Sequence, residues 1–165
     1  MSKTPQELGL EFQDHVQSLL TSFENRYPTT TQRLYDTRSA GNYLPSQPGD
    51  FITLWKPTTF LIEAKATTKY RSFSENRAVL TSLVDIEQAA KMWMWDRAGA
   101  ITLYVVKFSE TSVVEFWDGA DVYEALSEPR RRLQEKDRLW AGSHTVLKDA
   151  LFSFFTNLLV TGEIR

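Results

Sequence analysis

The chain contains no cysteine, which excludes a disulfide framework and any thiolate-held zinc site. Histidine is nearly as scarce. His15 and His144 are the only two, far apart and without ligand-like spacing, so both read as structural or surface groups. Long apolar runs are missing as well. None approaches the ~20 residues that a membrane-spanning helix needs, and the opening MSKTPQELGLEF has no apolar signal core. Charge of one sign is not in excess: a net charge of −2 over 165 residues argues against a wholly basic nucleic-acid binder. There is no internal repeat and no low-complexity tract. What remains is 42% hydrophobic and 24% charged, the composition of a soluble globular protein. The length suits one domain, residues 1–165, with a substantial core. A cytoplasmic protein with no membrane partner is the expectation.

The charge is unevenly spread. Residues 51–110 hold eight Lys and Arg against six Asp and Glu, and the flanking segments are net acidic. Lys65, Lys69, Arg71 and Arg77 fall close together, the makings of a local basic patch on an acidic protein.

Thr4-Pro5-Gln6-Glu7 offers an N-cap, a first-turn proline and a capping-box glutamate. Leu8, Phe12, Val16, Leu19, Leu20 and Phe23 then recur at helical spacing, which predicts a helix over 5–25. A short strand is predicted at 32–37 and a Ser/Gly/Asn/Pro loop at 39–49. Strands follow at 50–56 and 59–66, joined by a tight Lys-Pro-Thr-Thr turn. The polar and aromatic stretch 67–80 has no period and reads as mobile. A helix is predicted over 82–97, closed by Gly99, then a strand pair at 101–108 and 112–117, and a short helix at 121–126 that stops before Pro129. The charged run EPRRRLQEKDR reads as a solvated, self-paired helix surface. Ser143 caps a last helix with a broad apolar stripe, ended by Gly162, which either completes the core or meets a second subunit. The order α-β-β-β-α-β-β-α-α predicts an α/β fold, a mixed sheet flanked by helices.

One of these strands carries an anomaly. In FLIEAKA, residues 60–66, Phe60, Leu61, Ile62 and Ala64 suit the middle of a sheet, yet Glu63 and Lys65 sit among them. Unpaired, each charge would cost several kcal/mol to bury. Side chains alternate across a strand, so the two share a face. With Pro57 and Thr58 at the hairpin corner, Lys56 pairs with Thr59 and Asp50 falls opposite Lys65, with Glu63 diagonal to it. Two carboxylates so close repel unless something positive lies between them. A hard cation such as Mg²⁺ suits an all-oxygen site and keeps several waters, and Lys65 beside it could hold a water poised to attack phosphorus. The same three residues also make an ordinary structural salt bridge, and the triplet alone does not choose.

Pro48-Gly49-Asp50, twelve residues, then Glu63-Ala64-Lys65 resembles the PD-(D/E)xK nuclease superfamily, with a glycine interposed between Pro and Asp. Within it, the chain looks most like the Holliday-junction resolvases of the bacterial RecU and archaeal Hjc types. Similar features run from Gly9 to about Phe108: Gly9-Leu10-Glu11 in the first helix, IEAKATTKYRSFS, DIEQAAKMWMW and AGAITLYVVKF. The last 55 residues resemble nothing placed. The resemblance implies a restriction-endonuclease-like core. It also implies an enzyme that depends on Mg²⁺, with Mn²⁺ as a substitute, and resolves four-way DNA junctions by paired phosphodiester hydrolysis as a homodimer. It implies Asp50 and Glu63 as metal ligands with the Ala64 backbone carbonyl, and Lys65 as the residue positioning the water or stabilising charge. It further implies Glu11 reaching the metal or its waters, and Gln88 orienting the lysine or the water. Lys69, Tyr70, Arg71, Phe73 and Arg77 would touch or wedge branched DNA. Two other readings stand beside this one: another nuclease of the same superfamily (restriction-like, flap or repair), and a non-catalytic module that binds branched DNA.

Overall fold

A computed structural model describes residues 3–34 and 47–161. Helix α1, Pro5–Glu24, starts as its sequence dictates. The Thr4 hydroxyl accepts from the Glu7 N–H, Glu7 reaches back to the Thr4 backbone, and Pro5 occupies the first turn. Six strands then lie in simple sequential order in one sheet: β1 Thr29–Arg33, β2 Phe51–Trp55, β3 Thr58–Thr67, β4 Ile101–Phe108, β5 Val113–Asp118 and β6 Arg138–Ser143. All neighbours are antiparallel except β3 and β4, which run parallel. A parallel pair needs a crossover. It is supplied by α2, Arg77–Leu83, and α3, Ile86–Arg97. Between β5 and β6 lies α4, Gly119–Ser127, and α5, Leu147–Thr161, closes the described chain. The predicted α/β class, a mixed sheet with helices against it, is the architecture found.

Two cores sit on the two faces of this sheet. On one face α1 contributes Phe12, Val16, Leu20 and Phe23, and α5 contributes Leu147, Leu151, Phe155 and Leu158. They pack on Phe51, Phe60, Ile62, Leu103, Val105 and Phe116. The apolar excess of the last helix is therefore spent on covering the sheet. On the other face α2, α3 and α4 bring Val79, Leu80, Ala89, Met92, Val122 and Ala125 against Leu61, Tyr104, Val106, Phe108 and Trp117. β4, covered on both faces, is a near-continuous apolar run as burial on two sides requires.

The structure corrects several expectations. The helix predicted over 82–97 starts later, at Ile86, because Val84 is extended and the Asp85 carboxylate accepts from the Glu87 and Gln88 N–H groups; α2, Arg77–Leu83, falls mostly in the stretch predicted to have no period. The first strand comes earlier, at Thr29–Arg33, where its threonines pair with β2; the Thr31 and Thr53 hydroxyls meet at 2.9 Å. Residues 35–37 of the predicted strand, most of the predicted 39–49 loop, and Gly162 lie outside the described residues. Residues 128–138 form no α-helix, only a single 3-10 turn at Glu135–Asp137. Arg131 instead pairs with Asp121 and Glu124, and Arg138 with Glu115, while β6 adds a sixth strand. Residues beyond Phe108 thus complete the sheet that carries Asp50 and Glu63. His15 and His144, remote in sequence, stack with ring centroids 4.6 Å apart. Among the described residues no helix is long and apolar enough to cross a membrane.

The stretch predicted to be mobile is pinned at its centre. Phe73 is 1% exposed, within ring-contact distance of Tyr104, Phe108 and Trp117. Its N–H donates to Oε2 of buried Glu115 at 3.2 Å, as does Trp117 Nε1 at 2.9 Å, while Arg138 Nη1 donates to Oε1 at 2.7 Å. Arg77 donates to the carbonyls of Ala125, Leu126 and Glu128 at 2.7, 2.7 and 3.0 Å, capping the end of α4 where carbonyls lack helical partners. Arg138→Ala would leave the Glu115 charge buried with no counter-ion. It is expected to cost about 3 kcal/mol in urea unfolding and to expose the 69–75 loop to proteolysis. A variant as stable and as protease-resistant as the parent would show that Glu115 does not need its partner.

Candidate active site

The charged strand acquires its geometry from the β2–β3 register. Trp55 pairs with Thr58 and Phe51 with Ile62, so the corner is Lys56-Pro57, and every pairing is offset by two residues from the predicted one. Asp50 therefore lies level with Glu63, with Lys65 one pair beyond. An even offset keeps the predicted face. The Asp50 N–H donates to the Ile62 carbonyl at 2.9 Å, and the Ala64 N–H donates to Asp50 Oδ2 at 2.8 Å. Gly49 permits this. A Cβ there would stand 3.1 Å from the Ile62 carbonyl oxygen and 3.1 Å from Leu61 Cδ1, so the interposed glycine lets the chain lie against β3 just before Asp50.

Glu63 is 1% exposed. Its Oε1 pairs with Lys65 Nζ at 2.6 Å, while its Oε2 is buried with no hydrogen-bond partner among the described residues. Lys65 Nζ also donates to Gln88 Oε1 at 3.3 Å, and Gln88 opens α3 directly behind the Asp85 cap. Burial, then the Glu63 charge, pushes the Asp50 carboxyl from 3.8 up to about 7. Burial works against the charge on Lys65, but Glu63 and Asp50 outweigh it and raise the ammonium above its ordinary value.

This donor set fits a hard divalent cation. Two adjacent carboxylates, one of them with an orphaned oxygen, offer hard oxygen donors and a net negative charge once Asp50 ionises. In a strand a residue's N–H and C=O leave on the same edge, so the Ala64 carbonyl points to the side on which its N–H meets Asp50. Among the described residues no three His, Cys, Asp or Glu side chains form a cage. A site of two carboxylates completed by backbone oxygen, waters and substrate phosphate suits Mg²⁺ better than an all-protein cage would.

The sequence matches no protein-family profile and no curated protein. Among solved structures the chain is similar to Hjc, a Holliday junction resolvase from the archaeal hyperthermophile Archaeoglobus fulgidus. The identity is 14% over 84% of this chain and 90% of that one, with a TM-score of 0.45.

Of the residues singled out in the sequence, Asp50, Glu63, Ala64, Lys65 and Gln88 converge. Glu11 does not. It pairs with Lys3 on the surface, and its other charged neighbours are Lys107 and His144. Two positions along α1 turn it by about 200°, so the residue that reaches Asp50 is Gln13, whose Nε2 donates to Oδ1 at 3.0 Å. Arg33 Nη2 fixes that amide by donating to Gln13 Oε1 at 3.0 Å. Gln13 and Arg33 were not legible as site residues. Gln13 reads as a polar helix position, and Arg33 lies in a strand that runs earlier than predicted. In the basic loop, Lys69 and Arg71 are exposed and Tyr70 is half-buried, with Lys69 Nζ 5.2 Å from the Tyr70 ring centre. Arg71 pairs loosely with Glu110 at 3.4 Å. Phe73 and Arg77 are corrected: the first is core and the second is engaged with α4, so neither is presented to DNA.

Below pH 3.8 Asp50 is protonated in both the folded and the unfolded chain. Between there and about pH 7 the unfolded chain releases a proton that the fold retains. The metal-free fold therefore loses stability as pH rises through that window, and the loss is complete above it. Asp50→Asn in EDTA is expected to be more stable than the parent by about 2 kcal/mol at pH 8, with the advantage shrinking towards pH 4. A pH-independent difference in urea unfolding would mean that Asp50 ionises like a surface carboxylate.

Proposed function

We propose that this chain is a divalent-metal-dependent DNA endonuclease that resolves four-way junctions. The observation that carries the nuclease reading is the level placement of Asp50 and Glu63 at one end of the β2–β3 pair, with Lys65 and Gln88 beside them and Glu63 Oε2 unpaired. The junction reading draws support from the resemblance of IEAKATTKYRSFS and DIEQAAKMWMW to the resolvases.

Asp50, Glu63 and the Ala64 carbonyl hold the cation, Mg²⁺ or Mn²⁺, which when bound supplies Lewis-acid activation of a water and of the scissile phosphate. Gln13 and the Ala64 N–H each take one oxygen of Asp50, fixing the carboxylate's orientation. Lys65 stays an ammonium and does not accept a proton. Glu63 and Gln88 take two of its three N–H donors, leaving one that either orients the attacking water or stabilises negative charge growing on a phosphate oxygen. Lys69 and Arg71, on the loop after β3, contact phosphates of the arms, with Tyr70 beside them. Two symmetric cuts require two such centres, which a homodimer provides.

The test is cleavage of a labelled immobile four-way junction beside a linear duplex of the same sequence, in Mg²⁺ and in EDTA. Paired cuts in the junction alone, dependent on metal, are expected. Asp50→Asn and Lys65→Ala should each lower the rate at least about 100-fold while binding of the junction persists. Equal cutting of the duplex would keep a nuclease and discard the resolvase. Tight junction binding without any cutting would leave a binding module, and full activity in either variant would place the chemistry elsewhere.

A further inference from the structure

Three buried polar atoms on the helix-α3 face of the sheet have no hydrogen-bond partner among the described residues: Thr102 Oγ1, Glu63 Oε2 and the hydroxyl oxygen of Tyr104. The last two belong to neighbouring residues on adjacent strands. Glu63 and Tyr104 are register partners in the parallel β3–β4 pair, so their side chains leave the same face of adjacent strands. Glu63, Asp50 and Asp85 are the charges that act on the hydroxyl.

The Tyr104 ring is locked. The residue is 0% exposed, pairs across the sheet with Trp117, and lies 6.4 Å from the Phe73 ring. The hydroxyl is thus unable to swing to solvent. Phenylalanine would fill the same volume without bringing a polar atom into the core, where an unmet hydroxyl is unfavourable. A carboxylate oxygen only accepts, whereas a phenol both donates and accepts. A water between the two satisfies both, and a buried water takes about three partners. The third direction is the Asp50–Glu63 pair itself.

We propose that the Tyr104 hydroxyl is a positioning residue of the metal centre, holding a water of the cation's hydration shell jointly with Glu63 Oε2. This rests on the divalent-metal reading of Asp50 and Glu63. A residue that fixes a cation's hydration water contributes to affinity without touching the ion, and loss of such a partner weakens metal binding by about 10-fold or more.

Calorimetric titration with Mg²⁺, and thermal melting in EDTA and in saturating Mg²⁺, would be run on the parent, Tyr104→Phe and Asp50→Asn. Tyr104→Phe is expected to bind Mg²⁺ about 10-fold more weakly. It should melt no lower than the parent in EDTA, since an unmet buried hydroxyl has been removed, yet lower than the parent in Mg²⁺. That reversal is a signature a purely packed tyrosine would not produce. Parent-like Mg²⁺ affinity in Tyr104→Phe, with binding lost in Asp50→Asn, would overturn the role of Tyr104 and leave the metal centre standing. An equal drop in melting temperature under both conditions would likewise reduce Tyr104 to packing. Undiminished binding in Asp50→Asn, or no binding by the parent, would overturn the centre and the inference with it.

Discussion

Everything at the candidate site depends on the β2–β3 pairing that seats Asp50 level with Glu63. The backbone bond from Asp50 to Ile62 and the bond from Ala64 to the Asp50 carboxylate hold Asp50 beside Glu63. Burial, and then their repulsion, drives the Asp50 carboxyl up to about 7. A fold tolerates such a pair only if apolar packing nearby outweighs it. Phe51 and Ile62, direct partners in this hairpin, are both 0% exposed and belong to the core beneath α1 and α5. The apolar side of the hairpin thus stabilises the strained side.

The remaining architecture aims side chains at that pair. The crossover from β3 to the parallel β4 carries α3 across one face, and the Asp85 cap sets where α3 begins, which brings Gln88 to Lys65. From the opposite face α1 contributes Gln13, held by Arg33 of β1. The two layers meet at Asp50 because it stands at the end of its strand, where neither layer blocks the other. The loop after β3 is held to the sheet by the Glu115–Arg138 pair and by Phe73, leaving Lys69 and Arg71 as its exposed cations. A buried ion pair two strands across the sheet from Lys65 therefore helps set which basic groups of this loop face solvent.

Much of this was legible beforehand, for identifiable reasons. Capping residues, the 3.6-residue spacing of α1 and α5, and the apolar runs of β3 and β4 are local signals, and those elements formed where the pattern placed them. β6 escaped because RLWAGS is half-buried up to its last residue and shows no alternation, and β1 was placed too late because its threonines carry less apolar signal than the residues after them. Asp50, Glu63 and Lys65 stood out because charges interrupt an apolar strand. Gln13 and Tyr104 did not, since an amide on a helix and a tyrosine in a strand look ordinary until their neighbours are known.

By itself the sequence determined the α/β class, the cap of α1, the apolar stripes of α1 and α5, and the presence of two carboxylates and a lysine on two neighbouring strands, because propensity and periodicity act over a few residues. Tertiary structure alone decided the hairpin register, hence that Asp50 faces Glu63 and not Lys65. It alone decided that Gln13 in place of Glu11 reaches the site, and that Phe73 and Arg77 serve the core and a helix end. Those outcomes hang on which way a helix is rotated and where a strand pair closes. Both are set by the packing of residues far apart in the chain.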